Sequence, residues 1–502
     1  MRARFGRTLG LVLLGIGLPA ACGGPGETGT TGGSDEPTTS QDASTKSEVG
    51  ASPDAAAADT SSPDASALAD ARPPIDASTC AWPASVNRGT AWTRTQPMFV
   101  SGLTVGMPLP TASQVADYFD AFGANAVHTW ATGLPARIDA FRAANHAGFR
   151  YVSWVEKDGK SLANGQLLGG IAKNSAGRIG FQIGDEPADD AALDVMLASA
   201  SAVRAADPDA LVIVNFADNP NTDALLGRAA ANTDVDVLSI DRYTYKDDAY
   251  PALARVRAAG LAAAKPYWRY LDSFAYTSGD TSPSESDMRW DAMVGLLYGF
   301  TGYTWFIYQV DAPSDLSPEL FSAGGDFASA KTARFTIAAN VNGEAVRLGR
   351  ALTQLVSTDV RYVAGTALLQ PKGTTSFSAG AGGHPYLSSV TVSNGFDDAH
   401  LGFFRDACGE IYVMLLNPAH THGRFPLSLE RTSTYSLAFD FSKRSDATLD
   451  EGALEWMDPS DGQVKTRTLT ATGARTAKLD VSLGPGQVFL FKHRNGHAFA
   501  LR

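Results

Sequence analysis

The chain has 502 residues, 44% of them hydrophobic, and a formal net charge of −12 with no block of Lys or Arg. This length allows two or three domains with sizeable cores. The acidic balance argues against nucleic-acid binding, which depends on neutralising phosphates with Lys and Arg, so no nucleic-acid partner is expected.

The N-terminal segment has the pattern of an export signal. Three arginines precede a short apolar stretch at 9–18, which is too short to span a bilayer as a helix. The sequence Pro-Ala-Ala-Cys follows and ends at Cys22, and it resembles a bacterial lipobox with Pro19 in place of the usual apolar residue. Residues 1–22 are predicted to be a lipoprotein-type signal peptide with lipid on Cys22, or else an ordinary secretion signal. We therefore expect a cell-envelope lipoprotein, anchored to the membrane by its lipid, or a secreted protein.

The next segment, 23–79, is rich in Gly, Ser, Thr, Ala, Asp and Pro and has almost no large apolar side chains. Such a sequence buries too little surface to offset its ordering entropy, and it is predicted to be a disordered linker.

The remaining cysteines form an even number. If Cys22 carries lipid, Cys80 and Cys408 are left, and in an oxidising compartment they are predicted to form a disulfide; the alternative is two unrelated buried thiols. The sequence has no CxxC and no Cys/His cluster, so no metal site and no cofactor is expected.

From residue 91 onward, short apolar runs alternate with segments of helical periodicity. The predicted strands are 98–103, 125–130, 149–155, the run that ends within 178–187, 211–216, 235–240, 266–271 and 303–308. The predicted helices are 111–123, 134–147, 189–206, 223–231, 250–264, 286–300 and 332–355. Eight strands over roughly 260 residues predict a (β/α)₈ TIM barrel, an α/β fold, at 80–358. An open doubly wound sheet alternates in the same way, but its Gly-rich nucleotide loop is missing from the sequence.

Beyond this region the pattern changes to short alternating runs with turns. Strands are predicted at 410–416, 435–441 and 487–492, and no long helix is evident. Residues 359–502 are therefore predicted to be a small C-terminal β-sandwich domain.

The stretch 178–187, Arg-Ile-Gly-Phe-Gln-Ile-Gly-Asp-Glu-Pro, ends an apolar run with two carboxylates and a proline. A helix is predicted directly after it, so it is expected to be the C-terminal end of strand four, where barrel enzymes place catalytic residues. Because side chains alternate along a strand, Gln182, Gly184 and Glu186 are expected to face the interior. Asp185 is expected to turn away unless the strand bends, or to cap the following helix.

Two further acids end predicted strands: Asp241 at strand six and Asp272 at strand seven. With Glu186 they make three candidate catalytic carboxylates around one barrel mouth. Glycoside hydrolysis needs two of them, one to protonate the leaving oxygen and one to attack the sugar or activate water. Burial and mutual repulsion would raise the pKa of one and keep it protonated. The alternative for Asp241 is an ion pair with Arg242 or Arg269.

Aromatic, amide and imidazole side chains also collect at the predicted strand ends, where they would line a sugar-binding cleft. Core packing is the commoner use of such rings, so about half of them are expected to line the site. The candidate substrate-binding residues are Asp185, His128, Trp130, Trp154, Asn215, Tyr243, Trp305 and Tyr308.

Residues 95–355 resemble a TIM-barrel glycoside hydrolase of the large retaining superfamily that includes the β-galactosidase and cellulase barrels. Those enzymes carry an Asn-Glu-Pro-like acid/base motif at the end of strand four, and Gly-Asp-Glu-Pro at 184–187 is similar to it. The resemblance implies that Glu186 is the acid/base. Asp185 stands in place of the family's Asn, which contacts the sugar's 2-hydroxyl. Asp272 stands where the family's nucleophile, a Glu ending strand seven, is expected.

The sequence thus predicts an extracytoplasmic glycoside hydrolase that cleaves O-glycosidic bonds in a poly- or oligosaccharide by carboxylate acid/base catalysis. Glu186 would be the general acid/base, and Asp272, or else Asp241, the second carboxylate. The shorter Asp272 leaves the retaining mechanism open. One alternative is a non-catalytic carbohydrate-binding surface lipoprotein on a degenerate barrel, which the missing Glu favours; another is barrel chemistry of a different class.

Overall fold

The structure is a computed structural model. It describes residues 80–83, 87–105, 109–130, 134–155, 176–243, 249–276, 282–310, 316–322, 329–365, 370–393, 397–420, 432–443 and 449–502. The predicted signal peptide, its lipid-bearing Cys22 and the predicted linker all lie outside these residues. Within the described part of the chain, no helix combines the length and the apolar character that crossing a membrane requires.

Eight parallel strands close into a barrel, which confirms the predicted TIM fold. They are β1 Phe99–Val105, β2 Val127–Trp130, β3 Tyr151–Val155, β4 Arg178–Ile183, β5 Leu211–Ala217, β6 Val237–Asp241, β7 Tyr267–Asp272 and β9 Gly302–Gln309. A short antiparallel pair, β8 Phe274–Tyr276 and β10 Leu316–Pro318, follows the ends of β7 and β9. These strands are apolar runs without polar alternation because the helices cover the outside of the barrel and side chains fill its inside.

The helices of the described residues are α1 Arg88–Thr95, α2 Ala112–Ala116, α3 Leu134–Ala143, α4 Asp190–Ala206, α5 Thr222–Ala231, α6 Ala249–Ala262, α7 Glu285–Leu297 and α8 Ala333–Leu352. A π-helical turn, Asp117–Ala121, continues α2. The predicted capping box at Thr111 and Gln114 is present. Helix α1, which the sequence did not indicate, lies at the N-terminal ends of the barrel strands, where Trp92 contacts Trp268 with ring centroids 5.8 Å apart.

The barrel interior changes from apolar to polar along its axis. At the N-terminal end of the strands, Phe99 stacks on Trp268 with ring centroids 4.2 Å apart, in an apolar layer that closes the barrel. Above this layer the buried side chains are polar, and Ser101 and Thr304 share a hydrogen bond of 2.8 Å. The polar functional side chains therefore gather toward the C-terminal ends of the strands.

The C-terminal region is a sandwich of two antiparallel sheets. The six-stranded sheet has the order β11 Val356–Val363, β13 Ala399–Arg405, β14 Ile411–Leu416, β20 Val488–His493, β16 Ala453–Met457 and β17 Val464–Thr468. The four-stranded sheet has the order β12 Leu387–Val392, β15 Ser433–Asp440, β19 Thr476–Leu483 and β18 Thr470–Gly473. The predicted boundary after residue 358 falls inside β11, which already begins at Val356.

The central strands of the six-stranded sheet, β13, β14 and β20, are buried on both faces. On β13, Leu401 and Phe403 face the sandwich core, whereas Phe404 belongs to the apolar core of the barrel and its helices. Gly402 lies so near α7 that a Cβ atom there would come within 2.4 Å of the carbonyl oxygen of Leu297. One face of this sheet therefore belongs to the apolar core of the barrel and its helices, and the other face belongs to the separate core of the sandwich.

A disulfide joins Cys80 to Cys408, with Cα atoms 5.1 Å apart and a separation of 328 positions along the chain. It connects the start of the described chain with the sandwich. Nearby, the Trp82 indole donates to the carbonyl oxygen of Gln354 at 3.1 Å, and Arg94 lies 4.2 Å from the centre of the Trp82 ring.

Candidate active site

A sharp turn after β4 positions the two acids of the Gly-Asp-Glu-Pro sequence. Gly184 has a φ of +57° and Glu186 a φ of +43°, so both residues adopt the left-handed conformation. For Glu186 this conformation costs on the order of 1 kcal/mol. Two backbone hydrogen bonds hold the turn: Gly184 N–H donates to Val155 at 2.7 Å, and Glu186 N–H donates to Asn215 at 3.1 Å. The turn is thus fixed to the strands on either side of it.

Three carboxylates meet at this end of the barrel. One oxygen each of Asp185, Glu186 and Asp241 lie within 4.8 Å of one another. Three carboxyl groups this close repel one another when all are ionised, which favours protonation of a buried member of the group. The structure thus brings together β4 and β6 acids that lie 55 positions apart in the sequence (241 minus 186).

Asp185 turns into the barrel because the strand bends at Gly184, the exception allowed for in the sequence analysis, and it does not cap the following helix, which corrects that alternative. Its Oδ1 accepts hydrogen bonds from Asn215 Nδ2 at 2.9 Å and from Gln182 Nε2 at 3.3 Å. The cap of α4 is Asp189, which accepts from the N–H of Ala192 at 2.9 Å. The left-handed Gly184 interrupts the strand alternation from which the outward orientation was predicted.

Asp241 lies in an electrostatic environment that favours its protonated form. Burial raises the pKa of Asp241 well above its ordinary value, and the interactions with the neighbouring carboxyl groups of Glu186 and Asp185 raise it further. The alternative ion pairs of Asp241 are not formed. Arg242 contacts Asp218 at 3.4 Å, and Arg269 pairs with the buried Asp291.

A hydrogen-bond network lies beneath the three acids. The Tyr270 hydroxyl donates to Gln182 Oε1 at 2.6 Å, and the Nδ1 of His128 lies 3.3 Å from the same hydroxyl. Burial lowers the pKa of His128 to about 3, so its ring is neutral at physiological pH. His128 is 3% exposed, and its placement in the barrel interior makes it a support for Tyr270.

Aromatic rings form one wall beside the acids. The Tyr243 ring lies 5.3 Å from Phe274 and 5.2 Å from Phe306, measured between centroids. Burial raises the pKa of Tyr243 well above its usual range, and the charge of Asp241 raises it further. The wall therefore combines apolar faces with a hydroxyl group near the carboxylates, as a sugar-binding surface requires.

Asp272, the other candidate for the second carboxylate, is not part of the cluster of three acids. Its Oδ1 accepts a hydrogen bond from the N–H of Phe274 at 3.0 Å, and its own N–H donates to Asp291 at 3.1 Å. These bonds fix the turn between β7 and β8. The structure therefore favours Asp241 over Asp272 as the partner of Glu186.

The predicted substrate-binding roles of Trp305 and Tyr308 are corrected by the structure. Trp305 is fully buried between the barrel and α8, and Tyr308 packs against Phe122 and Phe335 on the same outer side. An irregularity in the pairing of β1 with β9 places extra residues of β9 between these two side chains. Simple alternation along the strand therefore did not predict their direction.

The other predicted residues lie at different depths. Trp154 is buried and pairs in register with Gln182 at the level of the acids. Trp130 ends β2, and its side chain lies outside the described part of the chain. The sequence analysis did not select Gln182 or Tyr270 as site residues, although alternation along β4 and β7 places each on the face that carries an acid. The sequence analysis also did not select Phe306, whose ring lies beside Tyr243, as a site residue.

The three carboxylates are also the kind of oxygen ligands that Mg²⁺ and Ca²⁺ prefer. Their oxygens are close enough together to contact one ion.

Comparisons with known proteins identify the fold. No protein-family model matches the chain, and no curated protein sequence matches it. A glycoside hydrolase family 5 structure from Bacteroides vulgatus is 13% identical, with a TM-score of 0.50 over 81% of this chain and 90% of that chain. A structure described as a glycoside hydrolase is also 13% identical, with a TM-score of 0.49 over 79% of this chain and 92% of that one. A GH30 endoxylanase from Clostridium papyrosolvens C71 is 11% identical, with a TM-score of 0.40 over 80% and 97%. At this level of identity, the likeness to the family 5 structure shows a shared fold.

Proposed function

We propose that the protein is a glycoside hydrolase that cleaves O-glycosidic bonds in a poly- or oligosaccharide with Glu186 and Asp241 as its two carboxyl groups. The observation that carries this proposal is the proximity of the two groups at the C-terminal end of the barrel, where their oxygens lie within 4.8 Å of each other. Burial raises the pKa of Asp241, which favours its protonated form. Glycoside hydrolysis requires at least one carboxylic acid and one carboxylate close to each other. The fold shared with a glycoside hydrolase supports the proposal as an analogy.

The pKa direction assigns the roles within the pair. Asp241 is buried beside two acids, so it keeps its proton and serves as the general acid toward the leaving oxygen. Glu186 is then the carboxylate that faces the anomeric carbon. This assignment differs from the one that the family resemblance implies, in which Glu186 donates the proton.

The spacing of the pair lies below the range of inverting enzymes, and we propose a retaining mechanism on this ground. Retaining enzymes hold their carboxyl groups about 5–5.5 Å apart, and inverting enzymes about 6.5–9.5 Å apart to admit a water molecule. Oxygens of Glu186 and Asp241 lie within 4.8 Å. In the first step the Asp241 proton passes to the glycosidic oxygen, the bond to the leaving group breaks, and a Glu186 oxygen bonds to the anomeric carbon. In the second step Asp241 takes a proton from water, the water oxygen bonds to that carbon, and Glu186 is released.

A screen of aryl glycosides and polysaccharides in the presence of EDTA tests the activity. On any substrate that is turned over, E186Q and D241N are expected to lower kcat by about 10²–10⁴. D189N is the matched control, because Asp189 lies on the same loop and Asn also caps helices. Full activity of E186Q would refute the assignment. Binding of a glycan without turnover would support the non-catalytic carbohydrate-binding alternative.

Two further measurements test the roles and the stereochemistry. Proton NMR of the first product should show the anomeric configuration of the substrate, and an inverted product would exclude Glu186 as the nucleophile. Azide should restore turnover of an activated substrate to D241A with retained configuration, because azide replaces water in the second step. It should restore turnover to E186A with inverted configuration, because azide replaces the nucleophile. Inverted configuration in D241A and retained configuration in E186A would show instead that Asp241 is the nucleophile and Glu186 the acid.

We also propose that the protein is exported and lipid-anchored through Cys22, with its activity outside the cytoplasm. The N-terminal sequence supports this proposal, and the disulfide between Cys80 and Cys408 is typical of an oxidising compartment. Labelling with a palmitate analogue should mark the full chain, and C22A should abolish the label and release the protein from the membrane fraction. Label retained in C22A would refute lipid attachment at this residue.

A further inference from the structure

The third carboxylate of the cluster, Asp185, has no part in the bond changes described above. It is nevertheless held more firmly than either reacting group. Asn215 Nδ2 and Gln182 Nε2 both donate to its Oδ1, at 2.9 and 3.3 Å. Amide N–H donors favour an ionised carboxylate over a protonated one, which has less capacity to accept.

The network under the acids fixes the orientation of one of these donors. Tyr270 donates its hydroxyl proton to the Oε1 of Gln182, so the amide nitrogen of Gln182 must point the other way, toward Asp185. Gln182 is 1% exposed and Tyr270 is 5% exposed, so the bond between them is shielded from water. The buried Tyr270 thus determines that the amide nitrogen of Gln182, and not its amide oxygen, faces the carboxylate of Asp185.

The backbone contributes the remaining constraint. The left-handed Gly184 turns Asp185 into the barrel, and the hydrogen bond from Glu186 N–H to the Asn215 carbonyl holds the following residue. Asn215 therefore holds both acids of the turn, Asp185 through its side chain and Glu186 through its backbone. Asp185 has little freedom to move away from Asp241.

We propose that Asp185 is a positioning residue, a fixed negative charge that keeps the proton on Asp241 and makes no bond to substrate carbon. The titratable groups that face Asp241 among the described residues are Glu186 and Asp185 from the β4 turn, Tyr243 from its own strand and Tyr270 from β7. Since both tyrosines are neutral, the two acids supply the negative charge. Glu186 loses its charge when it bonds to the sugar, and Asp185 keeps its charge throughout.

The inference takes its chemical meaning from the proposed function, but it is tested without a substrate. The infrared carbonyl band of a protonated carboxyl group is recorded against pH, and the band lost in D241N is assigned to Asp241. In D185N the midpoint at which this band disappears should move to lower pH by about one unit, because one like charge has been removed. D189N, which removes a charge from the same loop, should leave the midpoint in place. Thermal melts establish that each variant is folded, and D185S replaces D185N if that variant is not.

An unchanged or raised midpoint in D185N would overturn the inference, whatever the activity screen finds. If a substrate is known, the alkaline limb of the pH profile of kcat should shift down by the same amount in D185N, while KM changes little. A loss of affinity with an unmoved profile would show instead that Asp185 binds the sugar. If no substrate is turned over but the midpoint shifts, the proposed function fails and the inference about Asp185 stands.

Discussion

The Trp305 indole N–H donates a hydrogen bond to the Oδ1 of Asn342 on α8, with the two atoms 2.8 Å apart. The same oxygen accepts from the Tyr303 hydroxyl at 2.9 Å, and the amide of Asn342 donates to the carbonyl of Phe122 at 2.8 Å. A single buried side chain thus connects the last barrel strand to the segment after α2. The position of Trp305 at a strand end therefore reflects the attachment of α8 to the barrel.

Replacing Trp305 with Phe is expected to lower the free energy of unfolding by about 1–3 kcal/mol, since a buried hydrogen bond is lost and a small cavity forms. KM should not change, because the side chain faces away from the acids. Urea denaturation and steady-state kinetics of W305F measure the two effects. A raised KM with unchanged stability would restore Trp305 to the substrate site.

Asp272→Asn should be much less harmful than Asp241→Asn. Asn keeps an oxygen that accepts from the Phe274 N–H, so the turn after β7 survives the change. We expect kcat of D272N to fall by less than about tenfold, against about 10²–10⁴ for D241N. Steady-state kinetics of D272N and D241N on the same substrate measure this difference in kcat. The reverse order would favour the strand-seven nucleophile that the family resemblance implies.

Acidification should destabilise the protein through histidines that are buried as neutral rings. Burial lowers the pKa of His128, His384 and His400 from 6.5 to about 3. The unfolded chain therefore binds more protons between these values, and stability present above pH 6.5 is lost as pH falls toward 3. Each histidine removes up to about 1.4 kcal/mol of the free energy of unfolding per pH unit in this window.

His400 offers a direct test of this pH dependence. Its ring lies 5.0 Å from Tyr250 and 5.1 Å from Tyr362, between the barrel and the sandwich. H400F should reduce the slope of unfolding free energy against pH below 6.5 by up to about 1.4 kcal/mol per unit. Urea denaturation at several pH values measures this slope. Equal slopes in the variant and the parent would show that His400 does not contribute.

Loss of the disulfide should destabilise the fold. The bond closes a loop of 328 positions, and the chain-entropy model gives a loop of this length an upper stabilisation of about 6 kcal/mol. The double variant C80S/C408S should lose about 2–5 kcal/mol, and the reduced parent should lose a similar amount. Peptide mapping without reductant verifies the linkage in the parent. A double variant as stable as the oxidised parent would contradict the prediction.

The barrel was predictable from the sequence because its strands are buried on both faces and its helices carry periodic apolar residues. Helix α1 was not predictable in this way, since its sequence, Arg-Gly-Thr-Ala-Trp-Thr-Arg-Thr, has no apolar stripe. Most sandwich strands were missed for a related reason. Strand β17, Val-Lys-Thr-Arg-Thr, is largely exposed and lacks alternation, and only its partner β16 defines it as a strand.

At the site, the types of the functional residues were easier to predict than the directions in which their side chains point. The acids at the ends of β4 and β6 were recognised, because carboxylates after an apolar run stand out from the sequence. The inward turn of Asp185 depends on the left-handed φ of Gly184, and the outward position of Tyr308 depends on a pairing irregularity. Both are properties of the assembled barrel, which the alternation of side chains along one strand does not contain.

The burial of α7 determines the smallest part of this protein that is useful in isolation. Every residue from Ser286 to Leu297 is buried, and Trp290 stacks on His420 of the sandwich region with centroids 4.5 Å apart. A polypeptide cut after the last barrel helix would expose this apolar surface to water and would tend to aggregate. Expression or directed evolution of the barrel therefore has to retain the C-terminal sheets, which cover the outer face of α7.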